Sequence, residues 1–207
     1  MTHSPDRKII IAQPINSQIA GYVIDRITEI NDYDYEMELA YEKMKDDYEP
    51  EPIEIYINSG GGSAPDGFAI IGAMEMSDTP IITHGLGIVA SMALAIFLAG
   101  DVRVSSRHTR FMYHEVLYNA EGSLTEHAEI FLEISQIRDM YDQMFSSAEI
   151  FTKEEMANIC RQKLNYFFSV YEAKKRGLVH EITEKKQRIK LPEKVEEVPT
   201  EKALEEN

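Results

Sequence analysis

Apolar residues along this chain come in short runs divided by glycine, proline and charge. Residues 8–12, KIIIA, read as a buried strand that Pro14 and Asn16 end. From 17 to 30, Ile19, Ala20, Val23, Ile27 and Ile30 fall at helical spacing, with Ser17 or Asn16 as the start signal. Residues 31–51 are acidic and tyrosine-rich. They read as a solvated, mobile connector closed by Pro50 and Pro52, although their middle could extend the helix. Residues 53–57, IEIYI, predict a second strand, which runs into Asn58-Ser59-Gly60-Gly61-Gly62-Ser63. A helix from Pro65 to Met76 follows, with its proline in the first turn where proline is tolerated. Residues 80–84, PIITH, give a third strand, which leads into GLGIVASMALAIFLAG at 85–100 and a buried helix from Met92 to Leu98. Residues 101–104 and 109–113 read as two more strands, the second ended by His114.

Strand, turn and helix thus repeat, which predicts an α/β architecture with helices crossing over a largely parallel sheet. The longest helical pattern covers 124–148, from Leu124 through Phe131, Ile134, Ile137, Tyr141 and Phe145. It is apolar on more than one side, which fits a second buried face against a partner subunit. Thr152 with Glu155 is a capping box for a helix to Arg161, and Ser169 with Glu172 repeats the pattern for a helix over 169–176. Gly177 stops that helix, and Leu178-Val179 is expected to start a final strand. The chain therefore divides into one domain, 1–183, and a charged, proline-containing tail, 184–207, expected to be disordered.

Composition narrows the function. The 207 residues carry a net charge of −15, which argues against attraction to nucleic acid or anionic membranes. The lone cysteine, Cys160, excludes an intrachain disulfide and reads as a packed thiol on a helix face. No signal-peptide core and no membrane-length apolar run occurs, so a soluble, cytoplasmic protein is expected. The six histidines show no metal-ligand spacing, and no metal or cofactor is expected.

Three features carry candidate chemistry. Ser91 stands where an apolar strand gives way to an apolar helix, among the small residues Gly85, Gly87 and Ala90. It reads either as an N-cap or as a nucleophile beside unpaired helix amides. The loop at 60–62 leaves backbone N–H groups open. It lacks the lysine of a phosphate-binding loop and the fingerprint of a dinucleotide site, so an oxyanion site or a plain turn remains. His114 at a strand end supplies a candidate base. Together they provide a nucleophile, a proton acceptor and amides for a developing oxyanion, the requirements of acyl transfer.

Four segments resemble the ClpP family of self-compartmentalising serine peptidases: YINSGGGS at 56–63, GIVASMALAIFLAG at 87–100, RFMYHE at 110–115 and FFSVYEAKKRGLVHEI at 167–182. The KIIIAQPIN run at 8–16 is similar to the family's first strand, so the resemblance spans about residues 7–183 in order. It implies a ClpP/crotonase-like fold of repeated β-β-α units with a protruding handle at about 115–150. It implies Ser91 as nucleophile, His114 as base and the N–H groups of Gly62 and Met92 as oxyanion hole, with Gly61 and Ser63 along the substrate strand. It also implies seven-membered rings stacked in pairs and a partner Clp-type AAA+ ATPase that uses the ATP.

The departures bear on activity. The family's third triad residue is an aspartate, and the matching position here is Asn165. Asparagine can accept the imidazole Nδ1–H but brings no charge to stabilise an imidazolium. Gly60 stands for a usual proline, Glu54 for a usual aromatic on the docking surface that keeps Tyr56, and Glu115 for a usual glutamine. About seven residues precede the first strand, where family members carry a pore-lining loop. Three functions follow: an active peptidase subunit; a weakly active or silent subunit in a mixed ring with a ClpP paralogue; and a crotonase-type acyl-CoA enzyme, which needs no serine–histidine pair.

Overall fold

The computed structural model describes residues 4–184, apart from 46 and 120. The sheet is built from β1 (Lys8–Ile11), β2 (Ile53–Ser59), β3 (Ile81–Ala90), β4 (Val102–Ser106), β5 (Arg110–Tyr113), β6 (Tyr166–Ser169) and β7 (Glu181–Thr183). Its main path runs β1-β2-β3-β4-β7, every pairing parallel, as expected when helices make the crossovers. β3 is long enough to serve two neighbours. Ile82 to Gly85 pair with β4, and Ile88 to Ala90 pair with β5, to which β6 adds antiparallel. The 184–207 tail lies, beyond Glu184, outside the described residues.

The strands alternate as half-buried strands should. Ile9 and Ile11 of β1, and Ile53, Ile55 and Ile57 of β2, are fully enclosed. They join α3 (Met92–Leu98), all of whose residues are buried, and the inner faces of α1 (Ser17–Met44) and α2 (Ala64–Glu75) in one core. α4 (Leu124–Ser147) buries Tyr141 and Phe145 in its C-terminal third, while Leu124, Phe131 and Leu132 stay exposed. α5 (Lys153–Arg161) starts on the Thr152–Glu155 capping box. α6 (Val170–Lys175) starts on Ser169, whose hydroxyl accepts from the Glu172 amide.

The structure corrects the sequence reading in four places. Residues 31–44 are not a connector, because α1 continues unbroken to Met44, starting from Asn16, whose side chain accepts from the Ile19 amide. Asp34 explains the continuation. Its carboxylate takes both ends of the Arg7 guanidinium, at 2.5 and 2.8 Å, and hydroxyls from Tyr48 and Thr79, each at 2.6 Å. A charged helix face is thereby pinned to the start of β1 and to the segment entering β2. β3 extends past His84 through the glycines to Ala90. β6 is a strand where only a helix start was expected. The last strand begins at Glu181 rather than Leu178, since Leu178 and Val179 turn inward after α6 and pack in the core.

Candidate active site

Ser91 stands between β3 and α3 with φ 55° and ψ −130°, left-handed backbone that a non-glycine residue rarely adopts. Such a conformation costs on the order of 1–3 kcal/mol and persists only where its surroundings enforce it. The Ser91 N–H donates to the Met112 carbonyl (2.9 Å). Its carbonyl accepts from the Leu94 amide (2.8 Å) and the Tyr141 hydroxyl (3.1 Å). The Ser91 side chain makes no capping bond to α3, which removes the N-cap reading. Its Oγ lies 2.8 Å from His114 Nε2 instead.

Strand register produces that meeting. Ala90 pairs with Met112, so the residues beyond the two strand ends, Ser91 and His114, emerge side by side. Burial pushes the His114 imidazole below the ordinary histidine range, and the charge of neighbouring Glu115 opposes this only in part. The ring is therefore neutral at neutral pH, the state in which Nε2 can accept a proton.

The glycine loop faces the pair. Gly61 has φ 95°, and a Cβ there would fall 2.6 Å from Ser91 Cβ and 3.0 Å from the Met92 nitrogen, so only glycine lets the loop come this close. Gly62, at φ 154°, forms a parallel bridge with Ile15, in which Ile15 donates to the Gly61 carbonyl and Ser63 donates back to Ile15, both at 2.9 Å. That ladder uses the flanking groups and directs the Gly62 amide away from Ile15. Ser59 stiffens the loop from below, donating to the Gln13 carbonyl and accepting from the Gly61 amide. Ser63 lines the same cleft and caps α2 through the Asp66 amide. The cleft holds about 820 Å³, with Pro14, Ile88, Leu117, Ile134 and Ile137 as apolar walls around Ser91 and His114.

Asn165 is brought near but not into bonding. It is exposed on the turn after α5, where Lys163 adopts φ 52°, and it borders a smaller cavity with His114, Glu115 and Leu117. No hydrogen bond joins it to His114 among the described residues. Three further residues around the site were not singled out by the sequence, two on α4 and one at the end of β5. Tyr141 reaches the Ser91 carbonyl. Tyr113, immediately before His114, stacks on Tyr141 with ring centroids 5.5 Å apart and donates to Asp142 (2.5 Å). Burial pushes the Asp142 carboxyl up even though that hydrogen bond works the other way. Cys160 lies half-buried beside α4, and burial pushes its thiol up, away from reactivity. Among the described residues no group of histidine, cysteine and carboxylate side chains could hold a metal ion, and no helix is long and apolar enough to cross a membrane.

Comparison with known proteins identifies the family. The family model described as Clp protease matches residues 3–186. The ATP-dependent Clp protease proteolytic subunit of Pleurastrum terricola is 30% identical over 177 residues, covering 84% of this chain and 82% of its own. Proteolytic subunit 1 of Bacillus cereus is 28% identical over 183 residues, covering 87% and 86%. Among solved structures, a mutant of ClpP1 from Listeria monocytogenes, with aspartate in place of an asparagine, superposes with a TM-score of 0.70. It is 25% identical, with coverage of 87% of this chain and 92% of that one.

Proposed function

Since the chain belongs to the Clp protease family, we propose that it is a serine endopeptidase subunit acting on unfolded polypeptides or peptides, with Ser91 as nucleophile and His114 as base. The observation that carries this is the 2.8 Å approach of Ser91 Oγ to a neutral, half-buried His114 Nε2 at a strained turn. His114 Nε2 takes the hydroxyl proton as Oγ bonds to the scissile carbonyl carbon. The Gly62 and Met92 amides receive the resulting oxyanion. Nε2–H then protonates the leaving amine as the C–N bond breaks, giving an acyl-enzyme. Water attacks the ester with its proton passing to Nε2, and the Ser91 hydroxyl is restored. Gly61 and Ser63 border the cleft where an extended substrate would lie. No cofactor enters these steps.

Asn165 favours a second reading, a subunit of low activity within a ClpP-type ring. Exposed and unbonded to His114, it neither fixes the Nδ1–H tautomer nor offsets imidazolium charge. We place the protein in stacked heptameric rings, by itself or with a ClpP paralogue, served by a Clp-type AAA+ ATPase. The exposed apolar side chains of α4 (Leu124, Phe131 and Leu132) support self-association.

Hydrolysis of a short fluorogenic peptide and labelling by a fluorophosphonate test both readings. Wild-type activity that disappears in Ser91→Ala supports the peptidase. A rise of tenfold or more in Asn165→Asp shows that the missing charge limits the rate; in a fully enclosed serine triad the reverse exchange, aspartate to asparagine, costs about 10⁴ in rate. Equal rates for wild type and Ser91→Ala would defeat the serine mechanism.

A further inference from the structure

The nucleophile's own peptide unit is held from behind. The Ser91 carbonyl accepts the Tyr141 hydroxyl at 3.1 Å and the Leu94 amide at 2.8 Å. A trans peptide points its C=O and N–H in opposite directions, and none of the described peptide bonds is cis. Fixing the Ser91 oxygen toward Tyr141 therefore aims the Met92 N–H the other way. The glycine loop packs against the same peptide, since a Cβ on Gly61 would come 3.0 Å from the Met92 nitrogen, and Gly61, Gly62 and Met92 line one cleft with Ser91. A hydrogen bond donated to an amide oxygen also draws charge from the nitrogen and strengthens its N–H as a donor.

We infer that Tyr141 is a positioning residue whose hydroxyl orients and polarises the Ser91–Met92 peptide unit, and through it the Met92 N–H as oxyanion donor. The inference rests on the serine peptidase reading. Tyr141 is built for such a task. It is 3% exposed, stacked on Tyr113 and edge-on to Phe145 at 5.0 Å, so its ring is fixed before its hydroxyl acts. Tyr113 in turn donates to Asp142, so two adjacent residues of α4 grip the peptide after Ser91 and the residue before His114.

Tyr141→Phe removes the hydroxyl and leaves the ring contacts. Losing one neutral hydrogen bond is expected to lower kcat about three- to tenfold with KM unchanged. The inhibition constant of a peptide boronate, which forms a tetrahedral adduct on Ser91, should weaken by the same factor, while a non-reactive peptide of the same sequence binds as before. Ile30→Val, a core truncation remote from the site, should lower the melting temperature and leave kcat unchanged. A second probe spares the fold entirely. Placing 3,5-difluorotyrosine at 141 makes a stronger donor in nearly the same volume, and boronate affinity should rise about twofold. Unaltered kcat and boronate affinity in Tyr141→Phe, or no response to fluorination, overturns the inference alone. A wild type no more active than Ser91→Ala overturns it together with the peptidase reading.

Discussion

Gly61→Ala is the most direct challenge to the site geometry, because neighbouring glycines supply its controls. The added Cβ would stand 2.6 Å from Ser91 Cβ, 2.8 Å from the Ala90 carbonyl oxygen and 3.0 Å from the Met92 nitrogen. Two of these are backbone atoms, and the third carries the Ser91 hydroxyl, so no flexible side-chain end can give way. Ordinary van der Waals spacing requires the loop and Ser91 to separate by roughly 1 Å, and misplacement on that scale costs about 10²-fold in rate. Alanine at φ 95° adds backbone strain on the order of 1–3 kcal/mol. Gly61→Ala should therefore lower peptide hydrolysis at least 100-fold and slow fluorophosphonate labelling in step. Gly60→Ala meets nothing within 4 Å and has no left-handed φ, so activity should stay within about twofold. Gly62→Ala would drive its Cβ to 2.2 Å from the Ile15 carbonyl oxygen and should cost stability as well as activity. Melting curves separate the last two effects. Gly61→Ala with near-normal turnover would refute the close approach of the loop and Ser91.

Three further outcomes follow from the charges. Burial holds the His114 pKa low, so the acid limb of the labelling rate should have its midpoint below the ordinary histidine value of about 6.5. Glu115→Gln removes the charge that opposes this and should move the limb lower still, which a pH–rate profile reads directly. Burial pushes the Asp34 carboxyl up, but hydrogen bonds from Arg7, Thr79 and Tyr48 outweigh it, and the net pKa is lowered. Its contribution to stability is thus present above the unfolded carboxyl value and lost as pH falls through the lower native one. Asp34→Ala leaves Arg7 without its counter-ion and should cost about 2–4 kcal/mol in urea unfolding, with the acid-dependent part of the stability reduced.

The parts of this molecule that were legible in its sequence are those governed by neighbours in the chain. The apolar runs of β1 and β2, the Thr152–Glu155 box and the small-residue junction at Ser91 are local matters of period, cap and small residues. What escaped depends on distant partners. Residues 31–44 carry the charge pattern of a wet segment and stay helical because Asp34 meets Arg7, 27 positions away, and Thr79, 45 away. β6 is a strand because β5 offers an antiparallel edge from Arg110 to Tyr113. Motif order pointed to Ser91, His114 and the loop glycines, and the structure brings all of them to one cleft. Tyr141 could be read only as another apolar position of α4, since periodicity weighs the ring and is blind to the hydroxyl.

The forked β3 has a consequence for descent. Ser91, His114 and the approach to Asn165 hang from the branch of the sheet formed by β3's last residues, β5 and β6. Gly62 comes from the loop after β2 and is tied to Ile15 between β1 and α1. A lineage that alters the loop must therefore keep its fit to Ser91, since a Cβ on Gly61 would fall 2.6 Å from Ser91 Cβ. Gly60, with open space where a Cβ would stand, and the exposed Asn165 are positions where each side can change without disturbing that fit.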